Sequence, residues 1–172
     1  MPGLQQANAQ NPPGLRRTTA WLLITCLCIL HLVVNLIYNY QQDLPPSYDC
    51  AFHLHNSLRI HEILSSPDTR FLTDILGVSG YYPPLPYLAT ALFWTVTGVS
   101  VDMAYLSLLF WLFVLILTVY ESGRLLFSRE AGLLAAAVVS FYPITFGLTR
   151  SFYPDLPALA LTSLTWMAYL RS

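Results

Sequence analysis

Long apolar runs alternate with short polar turns along this chain, and that alternation predicts its elements. Residues 21–38, WLLITCLCILHLVVNLIY, form a first run, long enough with its flanks to cross a hydrocarbon core that needs about 20 helical residues. Residues 102–120, 131–148 and 156–170 form three more. Between the first and second lies a long mixed stretch, 39–101. Pro45 and Pro46 stop any helix there, Ser47 can cap a new one, and Asp49 in its first turn complements the helix dipole. The pattern predicts a helix over 48–64, with Asp49, His53 and Asn56 on one face and His55, Arg59 and Glu62 on another. Its apolar residues are spread around it, which suits a short helix wedged between membrane surface and protein. Residues 66–80 read as a loop. The segment 81–98, YYPPLPYLATALFWTVTG, holds three prolines and an apolar run of only about a dozen residues, so it reads as a re-entrant or surface-lying helix.

Charge sets the orientation. Arg16 and Arg17 precede the first run and place its N-terminus in the cytoplasm, because arginine and lysine favour that side. If 81–98 does not cross, Arg124, Arg129 and Arg171 fall on the same side; if it does, Arg124 and Arg129 move outside. The expected fold is therefore an all-α multi-pass membrane protein. It has about four transmembrane helices and a long first extracytoplasmic loop, 39–101, carrying surface or re-entrant helices. Residues 1–19 are polar and proline-containing, without apolar periodicity, and are expected to be a disordered cytoplasmic tail. Residues 20–172 form the membrane module.

Composition agrees: 55% of residues are hydrophobic and 10% charged, against about a quarter charged in a soluble domain. A net charge of -1 with eight Lys plus Arg provides no basic field, so nucleic acid is not an expected partner. Cys26, Cys28 and Cys50 give neither a disulfide framework nor a CxxC site. His31 and Asn35, four apart within the first run, read as polar glue to a neighbouring helix.

The densest ionisable cluster is PPSYDCAFHLHNSLRIHE, residues 45–62. On the four-span topology Asp49, from the first external loop, and Asp155, from the second, share one side of the membrane and could meet over a single cavity. A carboxylate there can take a proton from an incoming hydroxyl, and general-base help of that kind contributes about 10²- to 10⁴-fold. Asp49 is the candidate base, with dipole stabilisation as the structural alternative; Asp155 would orient the acceptor or act on Asp49 by like-charge coupling. Arg150 and Arg59 are candidates for a lipid phosphate, which a guanidinium fork matches. His53, His55 and Glu62 would hold a divalent metal if one binds, although their spacing forms no ready tetrahedral set. Tyr81, Tyr82, Phe152 and Tyr153 read as an interfacial aromatic belt or a sugar-stacking platform.

One span, a long external loop with an early Asp, a YPPL-type segment, a second span, a short basic cytoplasmic loop with GRLLF, an AGLLAAAVV span and an R-x-x-x-x-D turn follow one another over nearly all of residues 20–172. That order resembles the N-terminal half of the GT-C membrane glycosyltransferases, in particular the protein mannosyltransferase, aminoarabinose transferase and RgtA-like branch. The resemblance implies a glycosyltransferase that moves a sugar from a polyprenyl-phosphate donor to an acceptor hydroxyl on the extracytoplasmic face, with inversion. Asp49 takes the place of the catalytic first-loop acid. Tyr82 stands where the KPPL-like segment has lysine, and Arg150, Tyr153 and Asp155 match the second-loop turn, with Arg150, Tyr153, Arg59 and Tyr82 as substrate-binding candidates. Asp49 is followed by Cys50 rather than Glu, and Asp155 by Leu156 and Pro157, so the D-x-D of oligosaccharyl relatives is missing. No cofactor is implied beyond the lipid-linked sugar as co-substrate, with a divalent metal as an open alternative. Partners would be membrane lipid and later helices of a longer enzyme, of which this chain would be a fragment. A bacterial inner or plasma membrane of the cell envelope is the expected location. The competing reading is a non-catalytic membrane scaffold or a transporter subunit, for which ionisable residues inside several spans would be the sign.

Overall fold

Residues 15–42 and 45–172 are described by a computed structural model, and among them there are eight helices and no strand. Helix α1 (Arg17–Gln41) begins inside the segment expected to be tail, so residues 17–19 are helical, while the remainder of that expectation up to residue 14 lies outside the described residues. With α5 (Val101–Leu126), α1 is long and apolar enough to cross a membrane, and the described residues are all-helical, consistent with a membrane protein. Trp21, Leu22, Leu23, Ile29 and Leu36 are exposed on α1, as apolar side chains facing lipid would be.

The first-loop helix forms as α2 (Tyr48–Ser65), one residue longer than expected. Ser47 stands at its N-cap but makes no side-chain capping bond. The buried residues of α2, among them Cys50, His53, Leu54, Asn56, Ser57 and Ile60, gather on one face, so it packs more one-sidedly than its composition suggested. Residues 66–80 are not all loop: α3 (Phe71–Gly77) intervenes, because Ile75 and Val78 are buried and Phe71 half-buried, a helical i, i+4, i+7 spacing that the surrounding polar residues obscured. Helix α4 (Leu85–Thr97) has 13 residues, about 20 Å, too short for a hydrocarbon core of about 30 Å. It lies against α5, where the Thr90 and Ser107 hydroxyls hydrogen-bond at 2.7 Å and Trp94 Nε1 donates to the Ser100 carbonyl at 3.0 Å.

The apolar run 131–148 is not one helix. It divides into α6 (Arg129–Phe141) and α7 (Pro143–Leu148) at Tyr142, whose ψ of 131° is the extended conformation that a following proline imposes. A turn over residues 149–154 then leads into α8 (Asp155–Arg171). Helix α5 is the centre of the bundle, with Leu108, Leu112, Leu115, Ile116 and Tyr120 buried among α1, α4, α6 and α8.

The ends of the helices sort by charge. Arg17 at the start of α1, Arg124 near the end of α5, Arg129 at the start of α6 and Arg171 at the end of α8 line one cavity. At the other end the Asn39 side chain reaches the Asp102 carbonyl at 3.4 Å, bringing the end of α1 to the start of α5.

Candidate functional site

Asp49 is the second residue of α2 and Asp155 the first of α8, so each carboxylate sits where a helix N-terminus presents unpaired amides. Although 106 positions apart in the chain, they line one cavity of about 460 Å³. Tyr48 and Phe52 from α2, Tyr82 ahead of α4, and Tyr153 and Pro154 from the second turn form the walls. The floor is His53, 4% exposed.

His53 is the pivot of the site. Its ring lies 5.0 Å from Tyr82 and 5.8 Å from Tyr153, both edge-on, and stacks on Tyr87 at 5.8 Å. Its Nδ1 meets the Tyr87 hydroxyl at 2.8 Å. Burial pushes the Tyr87 hydroxyl up to about 12, so it stays protonated and can donate to Nδ1; with the hydroxyl as donor, the imidazole proton is on Nε2. Burial also moves the His53 pKa below its usual 6.5, outweighing the carboxylates of Asp49 and Asp155, which pull the other way. The floor of an acidic cavity is thus a neutral imidazole, a hydrogen-bonding surface without charge.

Arg150 does not line this cavity. Its guanidinium lies between the rings of Tyr38, at 4.7 Å, and Phe146, at 4.0 Å, and so fastens the second turn to the end of α1. Thr149 beside it donates to the Asn35 Oδ1 at 3.0 Å, and Asn35 Nδ2 donates to the His31 carbonyl at 2.9 Å. The glue expected of Asn35 is there, and it reaches the turn that carries Asp155. Arg59 and Glu62 line a separate depression with Asp74 and Gly77, and Arg59 reaches the Val78 carbonyl at 3.5 Å, which is away from the Asp49 cavity. His55 is exposed on the far face of α2. His53, His55 and Glu62 therefore do not converge, and among the described residues no three His, Cys, Asp or Glu side chains form a metal-binding group.

The profile of the family described as dolichyl-phosphate-mannose-protein mannosyltransferase matches residues 82–172, more than half of the chain. The chain belongs to that family. No curated protein and no solved structure matches it. Family membership makes it a membrane glycosyltransferase of the GT-C type, as the order of its motifs suggested. The matched segment opens on Tyr82 and includes Arg150, Tyr153 and Asp155, whereas Asp49 and α2 precede it. The cavity thus joins one wall from within the family's matched segment to another from before it.

Sequence reasoning placed both acids, Tyr82 and Tyr153 among the candidates but took His53 only as a metal ligand. The shared face of Asp49, His53 and Asn56 was a usable signal, and Tyr87, which fixes the imidazole, gave none, since it lies 34 positions away on another helix.

Proposed function

We propose that the protein transfers a sugar from a polyprenyl-phosphate donor to an acceptor hydroxyl on the extracytoplasmic membrane face, with inversion at the anomeric carbon. The observation that carries this reading is the convergence of Asp49 and Asp155 on one cavity. In the proposed step the acceptor oxygen attacks the anomeric carbon, its proton passes to Asp49, and the bond from that carbon to the phosphate oxygen breaks. Polyprenyl phosphate leaves with the electron pair, and a single displacement of this kind inverts the centre.

Asp155 would hold the acceptor, with Tyr82 and Tyr153 as stacking faces for the sugar. His53 Nε2–H would offer a neutral donor to a sugar hydroxyl. Arg150, its guanidinium held against Tyr38 and Phe146, would meet the donor phosphate only through its N–H edge, and Arg59 would act from a neighbouring depression rather than from the cavity itself. The proposed topology has four crossings, by α1, α5, the α6–α7 pair and α8, with α2, α3 and α4 in the first external loop. Grouping of Arg17, Arg124, Arg129 and Arg171 at one end supports it through the positive-inside preference.

The test is transfer from labelled polyprenyl-phosphate sugars by the protein in native membranes, comparing wild type with Asp49→Asn. A loss of about 10²-fold or more is expected. Unchanged transfer removes Asp49 as the base, and absence of transfer from any such donor favours the scaffold or transporter reading.

A further inference from the structure

At the end of the bundle away from Asp49, Arg17, Arg124, Arg129 and Arg171 line a second cavity, of about 330 Å³, with Glu121 between them. Glu121 Oε2 accepts from Arg124 at 2.6 Å and from Arg171 at 2.7 Å. One carboxylate therefore aims two guanidiniums while neutralising only one. Arg129 donates to the Leu15 carbonyl at 3.0 Å, and the neighbouring Glu130 carboxylate takes the Leu15 amide. Four positive charges against one negative in the lining leave a strongly cationic pocket. Trp21 and Tyr120 complete its wall, edge to face at 5.8 Å, the kind of amphipathic aromatic pair that sits at headgroup level.

We propose that this cavity is a phosphate site, separate from the Asp49 cavity, which takes the phosphate of an acidic lipid headgroup or a free phosphate. Planar guanidiniums present paired N–H donors that match phosphate oxygens, and two of the four are already oriented by Glu121. The four arginines come from the ends of α1, α5, α6 and α8, so a bound anion would tie four helix ends together. The Asp155-to-Arg171 helix separates the two cavities by about 25 Å, and the phosphate site stands whether or not Asp49 acts as a base.

The experiment uses the full chain in nanodiscs of phosphatidylcholine with or without phosphatidylglycerol, counting retained lipid by native mass spectrometry. A parallel arm titrates inorganic phosphate in phosphatidylcholine discs and follows tryptophan fluorescence, with Trp21→Phe as the blank. Each arginine near a lipid surface contributes about fivefold. Arg124→Gln with Arg171→Gln is therefore expected to weaken anion retention at least about tenfold, and Arg70→Gln, far from the cavity, to leave it unchanged. Glu121→Gln, which removes the competing charge but keeps a side-chain oxygen that can accept from Arg124 and Arg171, is expected to tighten it about fivefold; a misfolded protein cannot gain affinity, so this arm decides the matter if the double variant folds poorly. Preference for phosphatidylglycerol that inorganic phosphate does not displace assigns a headgroup; a phosphate response without lipid preference assigns the free ion. Equal retention of both lipids with no phosphate response, or no gain in Glu121→Gln, overturns the proposal.

Discussion

Gly123 of α5 and Gly132 of α6 meet back to back: a Cβ built on Gly123 would lie 2.6 Å from the Gly132 Cα, and one on Gly132 would strike the Tyr120 carbonyl oxygen and the Arg124 amide. Small residues let two helix backbones approach, and backbone cannot step aside as a side chain can. Gly132→Ala and Gly123→Ala are each expected to destabilise by about 1–3 kcal/mol or more, read as a lower thermal unfolding midpoint in detergent. Gly147→Ala, where a Cβ meets nothing within 4 Å, is expected to be neutral or slightly stabilising. A Gly132→Ala protein as stable as wild type would refute the close crossing.

The two cavity acids should separate by kinetics. Asp49→Asn is expected to lower kcat by about 10²- to 10⁴-fold with little change in acceptor KM. Asp155→Asn is expected to act mainly through acceptor KM, as removal of a contact made equally in ground and transition states does. Steady-state transfer assays with varied acceptor check both, and the reverse pattern would exchange the two roles.

Acidification should loosen the floor of the site. Because the folded-state pKa of His53 lies below 6.5, its neutral form is the one that folding favours. That stability is complete above about pH 6.5 and is lost as pH falls through the lowered value. Unfolding midpoints measured from about pH 7.5 to 5.5 should fall more steeply in wild type than in His53→Gln. Parallel slopes would show that the imidazole charges without cost.

Thr149→Val leaves the Asn35 Oδ1 without the donor it has at 3.0 Å. In a membrane-embedded bundle such a loss costs about 0.6–2 kcal/mol, and Asn35→Leu with Thr149→Val should cost less than the two single changes summed. Additive unfolding energies would remove the coupling between α1 and the second turn.

A cysteine placed at Leu126 in a background lacking the three native ones should react with an impermeant maleimide only from the cytoplasmic side. Labelling from outside would make α4 a crossing helix and reverse the sides assigned to Arg124 and Arg129.

Much of this was legible in the residue pattern because helix length and termination are local matters. Pro45 and Pro46 set the start of α2, Gly98 the end of α4, and the long apolar runs α1 and α5, without reference to anything distant. The two acids were placed together by parity alone, since each crossing flips the side on which the next turn falls. The break at Tyr142 was also within reach, as Pro143 forces it, but the apolar run continues across it and hides the break from a hydropathy reading. What remained out of reach depends on rotation about helix axes. Whether His53 turns toward Tyr87, and Arg150 toward Tyr38 and Phe146 rather than into the cavity, is decided by how α2 meets α4 and how α7 meets α1.

The Arg150 clamp has a mechanical consequence. Tyr38 lies three helical residues from the end of α1, and the segment from Gln42 to Asp49 is only a few residues long, while Arg150 stands five residues before Asp155. A cation held against those two rings therefore anchors the turn that carries Asp155 to the end of α1. Any tilt of the first helix that carries Tyr38 with it pulls on Arg150 and on the turn that leads into Asp155, so the placement of that carboxylate answers to a joint at the far end of another helix.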